Sequence, residues 1–587
     1  MYRITPFFWA LLGLLGIKLG FLCWIQEDSL FLYPQIDGKE YYRWALTILE
    51  GQWLQPRPFY QSPFYPYFLA SLFSLFPAKV LTVALCQIFF STATAGLLFS
   101  ITQNAFGTKA AWATFFLYTL SGCLYFYEIQ PLKTTLVLFC TALLFKLLQQ
   151  KSSGLGTGFT LGILILLRGN TFLLLPFILL YLFWEQKITR PLFGLFLLGC
   201  FCPLSLSLVH NYQVSQEWIL NTYQGGTNFY IGNHLGASGT YQPLLSGRQV
   251  PEFEEADAIT LAEKMAGKKL SYREISNFWL HQSFLFFQHY PLEAIQLQFK
   301  KLGLYFWPGE FPDGLQYSFW RSRYPLYHFF VVGYGTLWIL GLCGFYAMMK
   351  KSSLHKQNTR LFGLFLVGNL VSVVTFFIFN RDRLPVIIAL YPLAGSAFVQ
   401  FPKKWMLCCL LIGALLDRWP SNPSNSYMIL GALEFQQEQW QKAEHSLRKA
   451  VETGNQPEAW DKLGELYLYQ KEWIQAQGCF ETAVAQNPKW DLPYFHLGYL
   501  WLNRSILLND LRLEQKAQTF FQKSLQFSLQ KDQTCAKIAH LYWEYSKKIM
   551  NPNYQEIALS FMSLAQQLNK HCPEWTIELE KMKNTHK

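Results

Sequence analysis

Charged residues are scarce in this chain. Asp, Glu, Lys and Arg make up 15% of its 587 residues, whereas a soluble protein carries about a quarter. The deficit is uneven, because long apolar runs recur from Met1 to about Leu416 and the sequence turns polar after Trp419. We therefore expect a membrane domain, 1–418, followed by a soluble domain, 419–587, that is long enough to bury its own core.

Patterns of metal ligands and of nucleic-acid binding are absent as well. The twelve cysteines show no zinc-binding spacing, and most of them lie in apolar runs, where a thiol is usually a small hydrophobic side chain. The histidines are scattered, so we expect no protein-built metal site and no cofactor. The net charge of +12 comes without a basic groove motif. Much of it falls in short clusters between apolar runs, which sets membrane topology and argues against nucleic-acid binding.

The apolar runs predict an all-α membrane domain of about eleven spans. The first run, 6–25, follows Arg3 and lacks a small-x-small cleavage site, so we interpret it as an uncleaved span with a cytoplasmic N-terminus. The later predicted spans are 78–101, 109–127, 132–148, 154–168, 170–184, 190–209, 326–349, 361–379, 384–400 and 404–416.

Alternating the sides of these spans sorts the loops into two sets. One set holds short basic clusters, such as Lys350 and Lys351, which are expected inside the cell. The opposite set contains the extracytoplasmic loops 26–64 and 210–325. With eleven spans the C-terminal domain also lies outside, whereas one span more or fewer would move it to the cytoplasm. Ionisable residues at a membrane face are functional hypotheses by default, and the outer set contains Asp37, Glu128, Arg168, Arg381, Asp382 and Arg383.

A repeat begins near Tyr427. The dipeptide Leu-Gly recurs at 430–431, 463–464 and 497–498, close to the period of about 34 residues of tetratricopeptide repeats. We expect a helical superhelix that two further helices, 533–550 and 554–569, complete. Its expected work is to bind a protein partner, and packing against the membrane domain is the alternative.

The first outer loop carries the leading candidate for a catalytic carboxylate, Asp37. Its alternative role is to cap a short helix from Lys39 to Leu49. Glu40 follows and is a candidate for substrate binding. The proline-punctuated segment QSPFYPYFLA then leads into a membrane helix. Its Tyr65 is a second candidate, with an interfacial aromatic belt as the alternative.

Two further outer loops carry charges of both signs. Glu128 is a candidate second acid near the site, or it pairs with Lys133. Lys133 is also a candidate for substrate binding. Arg168 lies between two closely spaced spans, where its guanidinium suits a phosphate, although topology alone would also explain it.

The segment NRDRLP places Arg381 and Arg383 at the outer mouth of a span. Arginines at the outer face run against the positive-inside bias, which favours an anionic ligand such as a lipid-linked phosphate. The alternative is that Asp382 neutralises one of them.

The long outer loop begins with GGTNFYIGNHLGASGTY, in which Asn228 and Asn233 are candidates for substrate binding. Glycine, asparagine and aromatic residues at this density suit a hydrogen-bonding surface on which a sugar stacks. They equally suit an ordinary turn-rich loop.

Together these segments resemble the multi-spanning glycosyltransferases that use a polyprenyl-phosphate sugar donor, the dolichyl-phosphate-mannose protein mannosyltransferase-like group of glycosyltransferase family 39, with the C-type fold. The resemblance covers about residues 1–416. It rests on the acidic first outer loop, SPFYPY from Ser62, RGN from Arg168 and RDRLP from Arg381. NFYIGN from Asn228 is similar to a segment of bacterial members that carry tetratricopeptide repeats.

The resemblance implies an inverting transfer of a sugar, by a multi-pass protein of the bacterial inner membrane, to an extracytoplasmic protein, lipid or glycan. Displacing a sugar from a phosphate passes through an oxocarbenium-like state. It needs one carboxylate as general base and cations for the leaving phosphate. The expected roles are Asp37 as the base, Arg381 or Arg383 on the phosphate, and Arg168 and Glu128 in support.

Two positions depart from the family pattern. Many relatives carry an Asp-Glu pair in the first loop, whereas here Asp37 is followed by Gly38. Asp382 stands where the arginine motif usually has a tyrosine.

Two other classes of function stay open from the sequence. A ligase or polymerase that uses a polyprenyl-diphosphate glycan is one, although the acidic first loop favours the monophosphate donor. The other is a non-enzymatic membrane-anchored scaffold or a transporter. A scaffold has no need of about eleven spans with outer-face acids and arginines, and a transporter more often shows an internal membrane repeat.

Overall fold

The computed structural model describes residues 6–150, 154–185, 189–245, 248, 251–311, 314–350, 356–419, 421–569 and 572–586. Over this part of the chain the backbone is helical, apart from turns and one isolated parallel bridge between Thr240 and Ile378. The predicted all-α class is confirmed. The chain divides into two compact units, one made of Met1–Leu244 with Arg248–Ser421 and one made mainly of Asn422–Lys587.

The first unit is built from helices that follow the predicted apolar runs. In the described part of this unit, the short 3-10 helices Gly169–Leu174, Pro325–Phe329 and Leu384–Val386 join some of them. The α-helices are α1 Pro6–Ile25, α2 Ser29–Leu32, α3 Ile36–Leu49, α4 Phe64–Leu75, α5 Val80–Phe106, α6 Thr108–Thr119, α7 Gly122–Glu128, α8 Thr134–Gln149, α9 Gly154–Leu167, α10 Leu175–Trp184, α11 Arg190–Ser215, α12 Gly225–Gly232, α13 Pro251–Ala266, α14 Tyr272–His289, α15 Pro291–Phe306, α16 Tyr317–Arg323, α17 Tyr334–Lys350, α18 Lys356–Val374, α19 Asn380–Arg383, α20 Ile387–Gln400 and α21 Lys403–Leu416.

Many of these helices are apolar enough to lie in a bilayer. Five helical stretches of the described residues are also long enough to cross it, namely Pro6–Ile25, Val80–Phe106, Arg190–Ser215, Pro325–Lys350 and Asn380–Gln400. Four shorter apolar stretches accompany them, Phe64–Leu75, Thr134–Gln149, Gly154–Leu167 and Gly169–Trp184. The chain is therefore a multi-pass membrane protein, and the number of eleven spans stays a prediction.

One predicted span is divided in two. The run 109–127 forms α6 and α7, which are separated at Leu120 and Ser121. The Ser121 hydroxyl donates to Leu117 O and accepts a hydrogen bond of 2.7 Å from the Tyr391 hydroxyl. Side-chain hydrogen bonds of this kind satisfy backbone and polar groups where a buried helix is interrupted.

Helices α9 and α11 pack with their backbones in direct contact. A Cβ atom on Gly158 would lie 1.9 Å from Phe196 O, and one on Gly162 would lie 2.4 Å from Cys200 O. Small residues at such spacing let membrane helices approach closely. The contact matters for the site because α9 ends directly before Arg168.

The long loop folds into helices α12–α16 and is tied to the end of α18. Thr240 forms a parallel bridge with Ile378, whose N–H donates to Gly239 O at 2.9 Å. The buried Lys301 ammonium on α15 donates to Phe376 O at 2.9 Å. These contacts hold the loop against the segment that leads into α19.

The second unit consists of successive helices, each packed against the next. The predicted period of about 34 residues is visible in their packing, because a Cβ on Gly431, Gly464 or Gly498 would meet Leu447, Phe480 or Phe521 of the following helix at 2.5–2.6 Å. Assignment to the tetratricopeptide class stays a prediction. The helices are α22 Ser424–Gln436, α23 Trp440–Gly454, α24 Pro457–Tyr469, α25 Trp473–Gln486, α26 Asp491–Leu508, α27 Leu511–Phe527, α28 Lys531–Ile549, α29 Pro552–Leu568 and α30 Pro573–His586.

Candidate active site

An ion pair between Asp37 and Arg381 joins two predicted site residues that are 344 positions apart in the chain. Asp37 lies in the first turn of α3, whose N-cap is Gln35, so Asp37 is not the cap of this helix. Arg381 lies in the short helix α19. Both side chains are partly accessible, 15% and 16% exposed, so the pair can meet a ligand.

Arg168 holds α19 from the other side. Its guanidinium forms an ion pair of 2.7 Å with Asp382 and donates a hydrogen bond of 3.0 Å to Arg381 O. Asp382 therefore pairs with Arg168 from a distant segment of the chain. The consequence is that Arg168 fixes the backbone from which Arg381 reaches Asp37.

Lys133, directly before α8, lies near this cluster. Its ammonium donates to the Ser62 hydroxyl at 2.9 Å. Its ammonium lies 5.7 Å from the centre of the Tyr41 ring of α3, and Arg381 and Arg168 are within electrostatic reach of it. The sequence placed Lys133 with Glu128, whereas the structure places it near the arginines.

Glu254 on α13 is a site residue that the sequence reasoning did not identify. Its carboxylate accepts a hydrogen bond of 3.1 Å from the Tyr241 hydroxyl. Burial raises the pKa of Glu254 to about 7, and the negative charge of Asp37 adds to the shift. No local signal separates Glu254 from the other acids of the FEEAD segment, because only the folded loop brings it towards Asp37.

A small cavity adjoins the central ion pair. Its volume is about 30 Å³, and it lies between the start of α3, the segment before α8 and the long loop. Among the residues that line it are Asp37, Gly38, Pro131, Leu315 and Arg381.

Glu128 lies apart from these residues, in the interior of the helical bundle. It forms a buried ion pair with Lys18 of α1 and accepts a hydrogen bond of 2.6 Å from the Ser91 hydroxyl of α5. The two charged side chains are 2% and 1% exposed. The signal for this pair was present, since Lys18 is the lone charged residue of the first apolar run and needs a partner in lipid.

Arg383 is fully occupied by the protein itself. Its guanidinium donates to Trp307 O, to Gly309 O at 2.5 Å and to the Asn380 amide oxygen at 3.0 Å, and it lies over the Tyr334 ring. The residue is 3% exposed. Its contacts hold the end of the long loop and leave Arg381 as the more accessible arginine.

The other predicted binding residues have local partners. Tyr65 is buried edge-on against Tyr41, and its hydroxyl donates to Gln87 at 3.3 Å. Glu40 pairs with Arg43 at 3.1 Å. In the long loop, Asn233 is buried and accepts a hydrogen bond from Lys301, whereas Asn228 is half-buried on α12.

A family match covers part of this unit. Residues 58–210 match the family described as dolichyl-phosphate-mannose-protein mannosyltransferase. The predicted resemblance is confirmed for this segment, which contains Lys133 and Arg168. This segment is therefore similar to a family of glycosyltransferases, and the apolar helices make the chain a multi-pass membrane protein.

Comparison with solved structures adds distant likenesses. ArnT from Cupriavidus metallidurans, bound to undecaprenyl phosphate, is 13% identical with a TM-score of 0.41, over 90% of this chain and 80% of that one. The Archaeoglobus fulgidus oligosaccharyltransferase in its apo form is 14% identical with a TM-score of 0.42, over 79% of this chain and 60% of that one. No curated protein matches the sequence.

Proposed function

We propose that this protein transfers a sugar from a polyprenyl-phosphate donor to an acceptor hydroxyl outside the cytoplasm, with inversion at the sugar carbon. The observation that supports the proposal is the pairing of Asp37 with Arg381, a carboxylate and a guanidinium from distant segments. These are the two groups that the reaction needs, a general base and a cation for the leaving phosphate.

Asp37 is the proposed base. Its carboxylate takes the proton of the acceptor hydroxyl while the hydroxyl oxygen forms a bond to the anomeric carbon of the sugar. The bond from that carbon to the phosphate oxygen breaks, and the phosphate leaves with the electron pair. A positioned general base contributes about 10²–10⁴-fold to the rate of such a step.

Arg381 is the proposed phosphate ligand. A guanidinium presents several N–H donors and binds phosphate bidentately, so Arg381 can contact phosphate and carboxylate together. Arg168 acts through its contacts with Asp382 and Arg381 O, and the Lys133 side chain lies within electrostatic reach of both arginines. Arg383 and Glu128 have their bonding filled by the protein, and we assign them structural roles.

The proposed location is the bacterial inner membrane, with the Asp37–Arg381 pair on the outer side. The sidedness follows from the basic loops that the sequence predicts for the cytoplasm. The proposed acceptor is a protein, lipid or glycan, and the proposed role of the repeat unit is to bind a protein partner.

The test is a transfer assay in membranes with radiolabelled polyprenyl-phosphate sugars. Asp37→Asn keeps the size of the side chain but removes the base, so we expect transfer to fall about 100-fold or more. The matched control is Glu40→Gln in the same helix, whose carboxylate faces Arg43 and whose loss should leave the rate nearly unchanged.

Unchanged transfer in Asp37→Asn, with normal membrane insertion, would reject Asp37 as the base. Transfer from a polyprenyl-diphosphate glycan, without transfer from any monophosphate donor, would reject the proposed donor and support the ligase or polymerase class. Absence of transfer from both donor classes, with a range of acceptors, would reject the enzymatic proposal.

A further inference from the structure

The long loop brings an aromatic side chain to the proposed phosphate ligand. The bridge between Thr240 and Ile378 places Tyr241 beside the segment that leads into α19. The Tyr241 ring packs against Phe379 with centroids 5.4 Å apart, and the guanidinium of Arg381 lies 5.2 Å from the centre of the same Phe379 ring. Tyr241 and Arg381 therefore both pack against the ring of Phe379.

Glu254 is hydrogen-bonded to Tyr241 and interacts electrostatically with Asp37. The half-buried carboxylate is held by the Tyr241 hydroxyl at 3.1 Å. The charges of Asp37 and Arg381 both act on it, which places Glu254 within electrostatic reach of the proposed base and the proposed phosphate ligand. The transferred sugar has to lie between the base and the leaving phosphate, so a second carboxylate near both groups is suited to contact its hydroxyls.

Tyr60 adds a hydroxyl without a hydrogen-bond partner among the described residues. The side chain is 7% exposed, and its oxygen is buried. Burial raises the pKa of Tyr60, and Glu254 is the charged group that acts on it most strongly. The Tyr60 ring lies 5.1 Å from that of Tyr223, whose hydroxyl donates to Glu255, the chain neighbour of Glu254. A buried hydroxyl without a partner is costly, so Tyr60 is a candidate for a ligand contact beside Glu254.

We propose that Glu254, with Tyr241 and Tyr60, binds the sugar ring of the donor. This inference rests on the proposed function and assigns the part of the same site that recognises the sugar. A carboxylate accepts hydrogen bonds from neighbouring sugar hydroxyls. The tyrosines supply an aromatic surface and a further hydroxyl. Arg381 then holds the phosphate at one end of the sugar, and Glu254 holds hydroxyls at the other.

The test separates recognition of the sugar from recognition of the phosphate. The full-length chain in membranes is assayed with radiolabelled polyprenyl-phosphate mannose and polyprenyl-phosphate glucose. Polyprenyl phosphate without a sugar serves as a competitive inhibitor. Glu254→Gln should raise the donor KM about tenfold or more, which is the effect of losing a charged hydrogen bond. It should leave the inhibition constant of the sugarless carrier and the acceptor KM unchanged.

The matched control is Glu263→Gln on the same helix, because Glu263 pairs with Lys269 at 2.7 Å near the opposite end of α13. Tyr60→Phe removes the unpartnered hydroxyl alone and should raise the donor KM at least threefold, with the sugarless carrier again unaffected. The unchanged inhibition constant also shows that the variants are folded.

Four outcomes would overturn the inference. An equal loss of affinity for the sugarless carrier would assign Glu254 a structural role, and a change in the acceptor KM alone would assign it to the acceptor. Unaltered kinetics in Glu254→Gln and Tyr60→Phe would remove the sugar site while the proposed function stands. Absence of any transfer by the wild-type chain would reject the proposed function, and the sugar site with it.

Discussion

At the scale of single residues, two ion pairs of the first unit differ in their accessibility to solvent. Asp37 and Arg381 form a pair that is partly accessible, whereas Lys18 and Glu128 form a pair that is nearly completely buried. A buried pair costs a large desolvation free energy, and removing one partner leaves the other charge uncompensated. Accessibility therefore separates the pair that can do chemistry from the pair that holds helices together.

This difference gives a test of Glu128. Glu128→Gln should destabilise the protein by about 3–5 kcal/mol, because it leaves the Lys18 ammonium unpaired in the bundle. The double variant Lys18→Met with Glu128→Gln should recover most of that loss and regain transfer. The measurements are thermal unfolding in detergent and transfer in membranes.

A catalytic Glu128 would behave differently. The double variant would then regain stability but stay inactive, which would restore the role that the sequence predicted for Glu128. Lys18→Met alone is the companion variant, since it removes the other half of the same pair.

At the scale of helices, the contact between α9 and α11 positions Arg168. The backbones touch at Gly158, where a Cβ would lie 1.9 Å from Phe196 O. Gly158→Val should force the helices apart and lower the melting temperature in detergent by several degrees, because neither backbone can give way. We also expect weaker donor binding, since α9 leads directly into Arg168.

Gly156 offers the control on the same helix. A Cβ at Gly156 would meet one atom, Leu147 Cδ1, at 4.0 Å. Gly156→Val should therefore change the melting temperature by much less, and equal effects of the two substitutions would contradict the packing argument.

In the second unit, an ion pair between His496 and Asp461 connects α26 with α24. The His496 ring donates to Asp461 at 2.8 Å. Burial alone lowers the pKa of His496, but the charge of Asp461 and this hydrogen bond outweigh burial and raise the pKa above its usual value. The His496–Asp461 pair therefore stabilises the folded unit fully below the ordinary histidine pKa of about 6.5. This stabilisation is lost as the pH rises through the raised pKa of His496.

Hydrogen exchange of the full chain at pH 6 and pH 8 measures this effect. After correction for intrinsic exchange rates, amides of α24 and α26 should be better protected at pH 6. His496→Gln should reduce the difference between the two pH values. An undiminished difference in the variant would assign the pH dependence to other groups.

At the scale of the whole molecule, the residues of the proposed site all lie in the first unit. A chain that ends at Ser421 should therefore keep the donor KM within about twofold, since each unit has its own core. The measurement is transfer to a small soluble acceptor, compared with the full chain. A tenfold rise in the donor KM, with normal membrane insertion, would show that the second unit contributes to donor binding.

The sequence alone determined that this protein has an all-α membrane domain. Apolar runs of span length have to form helices in a bilayer, because the backbone has no other way to satisfy its hydrogen bonds there. Alternation of sides then placed Asp37, Glu128, Arg168 and the segment 381–383 in one group. The structure brings Asp37, Arg168 and Arg381 together but places Glu128 with Lys18. Their roles in catalysis stay predictions.

Only the tertiary structure decided which charge faces which. Glu128 pairs with Lys18 and not with Lys133, and Asp382 pairs with Arg168. Glu254 approaches Asp37 from a loop that shows no pattern of its own. The physical reason is that an ion pair depends on a few ångströms between segments hundreds of residues apart. Periodicity and topology describe each helix and the side on which it ends, but they do not carry these distances.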